Sequence, residues 1–538
     1  MAGGPVPALA RPGPWLWALL ASALALPVGL LLAGASTTLV ALLVLALGGG
    51  TVAVWTREPR RLMVVALFAT LPLDISKALV APEQQFYSPG LYLMPAQIVG
   101  LGLLLMWLLQ RLFAERRLPG LQRPDGLVLL FLALLWWSAW RSPQGFLALA
   151  SAAAYSLYVV AAWGAARSIR DTTDLRLALL TTATMVLLEL LHVAAQMATQ
   201  SLLPLPGSKS EMGVSLLNFG GEGFAFRPSG FFPHPNTLGH HMTMVLPVAL
   251  ALVLLGRSRL PARPWWLAVA VLLAGAAMLL LTLSRGGWAS GILGGSVVIG
   301  LLAWLGVLNR RHLAGLVLTV LVGAVAVVSA YPQILLRLTG SDSRSLESRV
   351  LQSDQALTII RANPLAGVGY GAYNRASFEY QGPLWSTVSQ DFQEQLRKVV
   401  VHNGYLLLAA ELGIPTTLLF VYVFFAFVRL PWPLHRWRDP SLLGLAVGLC
   451  GSLMGQMLYV SSDNYYADIR VLMLWVTAGL MQATVRIGTQ AAGPVDAGTA
   501  VPAGAGAAVP VGAEAAVPAG AEADGRGGSS GGSVGGTA

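Results

Sequence analysis

Residues 399–414 read Val399-Val-Val-His402-Asn403-Gly404-Tyr405-Leu-Leu-Leu-Ala-Ala-Glu411-Leu-Gly413-Ile, where a long polar segment gives way to an apolar run. Histidine is the side chain whose unperturbed pKa lies near neutrality, so His402 at a water–lipid boundary is placed to exchange a proton with a substrate. Asn403 and Tyr405 either orient that substrate or satisfy the local backbone. Arg227 lies in Phe224-Ala-Phe-Arg227-Pro-Ser-Gly230-Phe-Phe-Pro-His234-Pro-Asn236, where Gly/Pro turns on both sides hold it on a shaped loop. Arg285 lies in the tight turn Ser284-Arg285-Gly286-Gly-Trp288, and the apolar run after it offers free backbone N–H groups to an anion. A guanidinium gives bidentate hydrogen bonds and a fixed charge, which suits a phosphate. The plainer alternative for Arg285 is an arginine snorkelling to a membrane interface.

Other groups carry weaker signals. His234, His240 and His241 invite a metal reading. However, His240 and His241 point to different helix faces, no carboxylate lies within a turn, and HExxH is absent, so no metal site is expected. Glu189 and His192 stand within one turn at membrane depth, where ionisable groups default to a functional hypothesis. The bland reading is that they hydrogen-bond each other or a neighbouring helix. The run Pro364-Leu-Ala-Gly367-Val-Gly369-Tyr-Gly371-Ala-Tyr373-Asn374 has no βαβ unit around it, so it reads as a compact turn returning the chain towards the membrane.

These residues need a scaffold, and the composition says which. Of 538 residues, 55% are hydrophobic and only 11% charged, with mean hydropathy +0.67. A soluble domain carries roughly 25% charged residues. The class is all-α polytopic membrane protein. Apolar runs of spanning length fall near 15–34, 37–55, 62–80, 91–110, 126–140, 145–166, 174–198, 238–256, 265–283, 287–308, 313–332, 404–428, 441–460 and 469–486, about 14 in all. The first run has Arg11 before it and imitates a signal peptide, but so many spans follow that a retained helix is expected. Eighteen arginines fall in alternate short loops, from Arg57, Arg60 and Arg61 to Arg429, Arg436 and Arg438, while the loops between hold only Lys77, Arg141, Arg285 and Arg470. The positive-inside rule then places both termini in the cytoplasm and the long loops 200–237 and 333–403 outside. The net charge of +10 is mostly this bias, and not a nucleic-acid footprint. The single cysteine, Cys450, excludes a disulfide and a cysteine-based metal site.

Three regions are expected: N-terminal transmembrane helices over 1–199, a catalytic region over 200–486 and a disordered cytoplasmic tail over 487–538. The tail repeats an eight-residue unit with Ala-Val-Pro at its head and has too few large apolar groups for a core. Within 333–403, residues 344–362 read as a helix with apolar Leu346, Val350, Leu357 and Ile360, carrying Arg349 and Arg361. Such a stripe would lie on the membrane surface or cap the spans below.

Four segments, in this order, resemble the O-antigen ligase and O-antigen polymerase superfamily: Arg227-x-x-Gly230 with Pro235-Asn236; Ser284-Arg285-Gly286; Arg349 with Asn363-Pro364 and Gly367, Gly369 and Gly371; and His402-Asn403-x-x-Leu406 with Glu411-x-Gly413. The resemblance covers roughly 220–430. It implies a C-type glycosyltransferase with a largely helical periplasmic loop, moving a glycan from undecaprenyl diphosphate onto an acceptor hydroxyl at the outer face of the bacterial inner membrane. No metal or other cofactor is implied, and acceptors include lipid A-core, another lipid-linked unit or a protein. Arg227 and Arg285 would bind the donor diphosphate, and His402 would be the general base. Arg349 is a further match, and His234, Asn236, Asn403 and Tyr405 would line the substrate site. The rival is a transporter or flippase of lipid-linked saccharides; such proteins place polar elements at the midplane and show internal repeats, whereas these motifs cluster on one face.

Overall fold

The computed structural model describes residues 58–80, 90–116, 120–205, 215–218, 224–309, 314–315, 329, 331–339, 343–397, 399–463 and 468–491. The helices are α1 (Pro59–Thr70), α2 (Pro95–Leu109), α3 (Arg123–Arg141), α4 (Phe146–Ser168), α5 (Thr172–Thr199), α6 (Pro235–Leu255), α7 (Ala262–Leu281), α8 (Arg285–Trp304), α9 (Gln333–Thr339), α10 (Ser343–Ala362), α11 (Tyr373–Glu379), α12 (Gln390–Arg397), α13 (Gly404–Leu412), α14 (Ile414–Arg429), α15 (Pro440–Val460) and α16 (Ile469–Ala491). Two short antiparallel strand pairs, β1 (Lys77–Val80) with β2 (Leu91–Leu93) and β3 (Leu216–Asn218) with β4 (Phe224–Phe226), join them, with single helical turns at Gln110–Ala114, Trp385–Thr387 and Leu434–Arg436. Nine of the described helices are long and apolar enough to cross a membrane. The chain is a multi-pass helical membrane protein.

Two of the expected spans are corrected and a third is shifted. The run 62–80 is helical only to Thr70, because Pro72 follows and Lys77–Val80 forms β1 instead. The span expected at 91–110 is present, but it starts at Pro95 after β2. The run 404–428 is broken in two: Gly413 takes φ 84°, a left-handed conformation that ends α13, and Pro415 opens α14. The expected spans at 15–34 and 37–55, nearly all of 313–332, and the tail beyond 491 lie outside the described residues. The expected span at 126–140 is the helix α3, but its charged first turn and tryptophan-rich end keep it out of the nine.

Small residues draw the long helices together. In lipid there is no hydrophobic drive between helices, so close backbone packing must hold them. A Cβ at Gly100 of α2 would meet Ala161 of α4, and one at Gly479 of α16 would meet the Ala162 backbone. Gly294 of α8 and Gly451 of α15 face each other's carbonyl oxygens, with Pro247 of α6 alongside. Two packed sets result, α2–α4–α16 and α6–α8–α15, joined through α15 and α16. At one end of the bundle, buried Asp125 accepts from Arg167, from Trp163 Nε1 at 3.1 Å and from Gln482 Nε2 at 2.9 Å, and Asp174 pairs with Arg60 and Arg61. Each buried carboxylate thus has the charged and neutral donors its desolvation requires. The opposite end carries the motifs.

Candidate active site

Arg227 directly follows β4. Its backbone N–H donates to Ser215 O at 2.7 Å, its Nε to Thr282 O at 2.7 Å and a terminal N–H to Asn236 Oδ1 at 2.8 Å. The residue is 6% exposed, so the two side-chain bonds fix the guanidinium's direction. The following turn is clamped from α5: Gln196 Oε1 accepts from the N–H groups of Ser229 (3.1 Å) and Gly230 (3.0 Å). Gly230 has φ 62°, and a Cβ there would press on the Glu189 carboxylate at 2.7 Å. Glu189 itself pairs with His241 Nδ1 at 2.9 Å, so its partner is on α6 and not His192, whose ring lies against Phe231 at 5.2 Å. The three clustered histidines diverge: His241 goes to Glu189, the His240 ring packs on Tyr459 at 5.0 Å, and His234 caps α6 by accepting from Asn236 N at 2.9 Å.

Asn236 links this loop to the α15–α16 connection. Its Nδ2 reaches Asp463 Oδ2 at 3.5 Å, and its carbonyl accepts from Tyr459 OH at 2.7 Å. Asp463 pairs with Arg470 at 2.6 Å, and Arg470 also grips Asp468, with Nε at 2.8 Å. Ser284 caps α8 by accepting from Gly287 N at 3.3 Å, and Gly286 abuts Ser462, beside Asp463. Arg285 is exposed at this corner; its Nε donates to Arg337 O at 2.9 Å while Arg337 Nε donates to Leu283 O at 3.1 Å, tying α9 to the turn.

His402 sits just before α13. Asn403 caps that helix, its Oδ1 accepting from the N–H groups of Tyr405 (3.1 Å) and Leu406 (3.2 Å), and Tyr405 OH donates to Met457 O at 2.6 Å. Both side chains therefore position backbone in this structure. Above them lies α10, whose buried face is Leu351, Gln352, Gln355, Ala356, Ile359 and Ile360. Of the expected stripe, Ile360 is buried, whereas Val350 is 48% and Leu357 38% exposed. The latter two line an open cavity of about 360 Å³ with Arg349, Ser353, Asp354 and Leu384. The glycine run wraps the end of α13. Gly371 N and Tyr373 N donate to the two Glu411 carboxylate oxygens at 3.0 and 3.1 Å, and Gly367 (φ 63°) leaves no room for a Cβ beside the Glu411 backbone.

One electrostatic neighbourhood joins these pieces. Burial pushes the His402 pKa below the ordinary histidine range; Asp463 opposes this, while Arg349 and Arg470 reinforce it. Burial also pushes His234 down to about 3; Asp463 opposes, and Arg227, Arg470 and a charged His402 reinforce. His402 and His234 are both neutral near pH 7 as a result. The first loop's Arg227 and His234 thus share a field with His402, although 168 residues separate His234 from His402 along the chain. Arg285 adjoins this group through Gly286 and Ser462, with its own side chain turned to Arg337.

Residues 268–421 match the family model described as O-antigen ligase. The resemblance to the O-antigen ligase and polymerase superfamily is thereby shown. The ligase-like stretch holds Arg285, Arg349, the glycine turn, His402 and Glu411, whereas Arg227, His234, Asn236, Asp463 and Arg470 lie outside it and join it through the contacts above. No curated protein matches the chain. Sequence reasoning passed over Gln352, Asp463 and Arg470. The signal for the last two was an acid and an arginine flanking two long apolar runs, at a depth where charge is costly without a partner.

Proposed function

We propose that the chain transfers a glycan from undecaprenyl diphosphate onto an acceptor hydroxyl at the periplasmic face of the bacterial inner membrane, without a metal and with inversion at the anomeric carbon. The supporting observation is the shared field of His234, Arg227, Asp463, Arg470 and His402, which gathers residues from three distant segments at one end of the bundle. In the proposed step, the acceptor oxygen gives its proton to the neutral His402 imidazole and bonds to the anomeric carbon. The bond from that carbon to the diphosphate oxygen breaks, and its electron pair leaves with the polyprenyl diphosphate. Arg227 and Arg285 take up the charge that develops there. Fixed guanidinium groups at a partly dry interface stabilise such a leaving group strongly. One displacement from the face opposite the leaving group inverts the centre. In this reading the Asp463–Arg470 pair keeps Asn236 and Arg227 in place, and Arg349, which lines the cavity on α10, is a further substrate ligand.

The test is reconstitution in liposomes with a lipid-linked oligosaccharide and either lipid A-core, a second lipid-linked unit or a peptide as acceptor. Product is expected to form with EDTA present, and to fall by about 10²-fold or more in His402→Ala, the scale of a lost general base. Turnover of His402→Ala within a few-fold of the parent removes the base assignment. Movement of the lipid-linked oligosaccharide across the bilayer with no new glycosidic bond would instead favour a flippase.

A further inference from the structure

Gln352 stands on the inward face of α10, 3% exposed, opposite His402. Its Oε1 accepts from the His402 backbone N–H at 3.3 Å and meets His402 Nδ1 at 2.9 Å. An amide group is often ambiguous, because oxygen and nitrogen can be exchanged by a flip. Here the backbone resolves it. A peptide N–H can only donate, so the atom facing it must be the oxygen. That same oxygen faces Nδ1, and an amide oxygen can only accept. The proton of the neutral ring is therefore on Nδ1, and Nε2 carries the lone pair.

From this geometry we infer that Gln352 is the positioning residue that selects the His402 tautomer, leaving Nε2 as the atom that takes the acceptor's proton. The inference rests on the reading of His402 as general base. The two partners are held in one packed cluster: Ala356, Ile359 and Ile360 of α10 bury against Tyr373, Val400, Val401 and Leu407. Tyr373 OH also donates to the Gln352 carbonyl at 3.3 Å, so the helix that carries the glutamine is pinned at that residue. Through the step, Nε2 receives the hydroxyl proton and Nδ1 keeps its own, still bonded to Oε1. A neutral amide orients the ring without placing a full negative charge on it. The charges acting on His402 then come from Asp463 on the α15–α16 connection, Arg349 on α10 and Arg470 on α16, with His234 nearby on the first loop.

The full-length protein labelled with 15N-histidine tests the tautomer without any substrate. The His402 signals are those lost in His402→Ala, and they are expected to report a protonated Nδ1 and a bare Nε2 at neutral pH. A bare Nδ1 overturns the inference. In the liposome assay, Gln352→Met is expected to lower kcat by about 10- to 100-fold, part of the contribution of an oriented base, with KM within about twofold. Gln352→Glu keeps an acceptor of the same shape and adds a charge, so the acidic limb of kcat/KM is expected to move up by about one pH unit or more. A purely packing role would leave that limb in place. If Gln352→Met keeps full kcat while His402→Ala is dead, the positioning role fails and the base survives. If His402→Ala is active, the base itself fails. If Gln352→Met does not insert, the wild-type tautomer and the Gln352→Glu profile decide.

Discussion

Arg227 and Arg285 are the same residue type under opposite conditions, and substitutions should separate them. Arg227 is buried, and its fork is directed by Thr282 O and Asn236 Oδ1, which a lysine's single ammonium cannot both satisfy. Arg227→Lys is expected to lose most activity and to lower stability by about 1–3 kcal/mol, the cost of an unmet buried polar group. Arg285 is exposed, so Arg285→Lys should keep more activity than Arg227→Lys while Arg285→Ala loses it with little change in unfolding temperature. Unfolding midpoints beside turnover rates for the three variants check this. His234 gives a pH prediction. Unfolded, it takes up a proton near pH 6.5; folded, burial holds its pKa at about 3. Between those values the unfolded state binds more protons, so stability falls as pH drops through the window. At pH 5 the loss relative to neutral pH is on the order of 2 kcal/mol. His234→Asn keeps an acceptor at the helix cap but does not titrate, so its thermal midpoint should decline less between pH 7 and pH 5.

At the scale of elements, the parts of the fold legible in sequence were those set by a single strong physical rule. Long apolar runs gave α4 to α8, α15 and α16 nearly to their ends, because lipid requires a continuous hydrogen-bonded helix. The break at Gly413-Ile-Pro415 was missed since hydropathy runs straight through it. The inward face of α10 was not legible either: Gln352 and Gln355 are buried beside Ile360, while apolar Val350 and Leu357 are exposed, so hydropathy does not mark the packed side. Arg227, Arg285 and His402 could be named from their turns and boundaries, but their partners Asp463, Arg470 and Gln352 come from segments that only folding brings near. Glu411 is different. About two turns beyond the proposed base, it reads from sequence as a tie between elements more than as a base, and both its oxygens accept backbone N–H groups from the glycine turn. Glu411→Gln retains one carbonyl acceptor where two oxygens serve, so it is expected to destabilise by about 1–3 kcal/mol. The residual activity should keep an unshifted pH profile, which a pH–rate series on the purified variant checks; a displaced limb would make Glu411 a titrating participant.

For the molecule as a whole, the proposed chemistry requires the motif end to face away from the cytoplasm. The arginines of the short loops bear on orientation: exposed Arg257, Arg429, Arg436 and Arg438 lie at the helix ends opposite the motifs. The exposed tryptophans Trp136, Trp137 and Trp140 at one end of α3, where Arg141 stacks over Trp137 at 4.5 Å, mark interfacial depth but not its side. The chain's single cysteine makes a direct measurement simple. Cys450 is buried in α15 with its thiol on Val428 O at 3.5 Å, so Cys450→Ala removes one weak bond and leaves a background without thiols. Into it go Ser386→Cys, exposed in the helical loop on the motif side, or Ser258→Cys, exposed between α6 and α7. In intact spheroplasts a membrane-impermeant maleimide is expected to label position 386 at once and position 258 only after the membrane is opened. The reverse pattern would put Arg227, Arg285 and His402 in the cytoplasm. There a lipid-linked glycan already carried across the membrane would be out of reach, and the transfer mechanism would need a different donor.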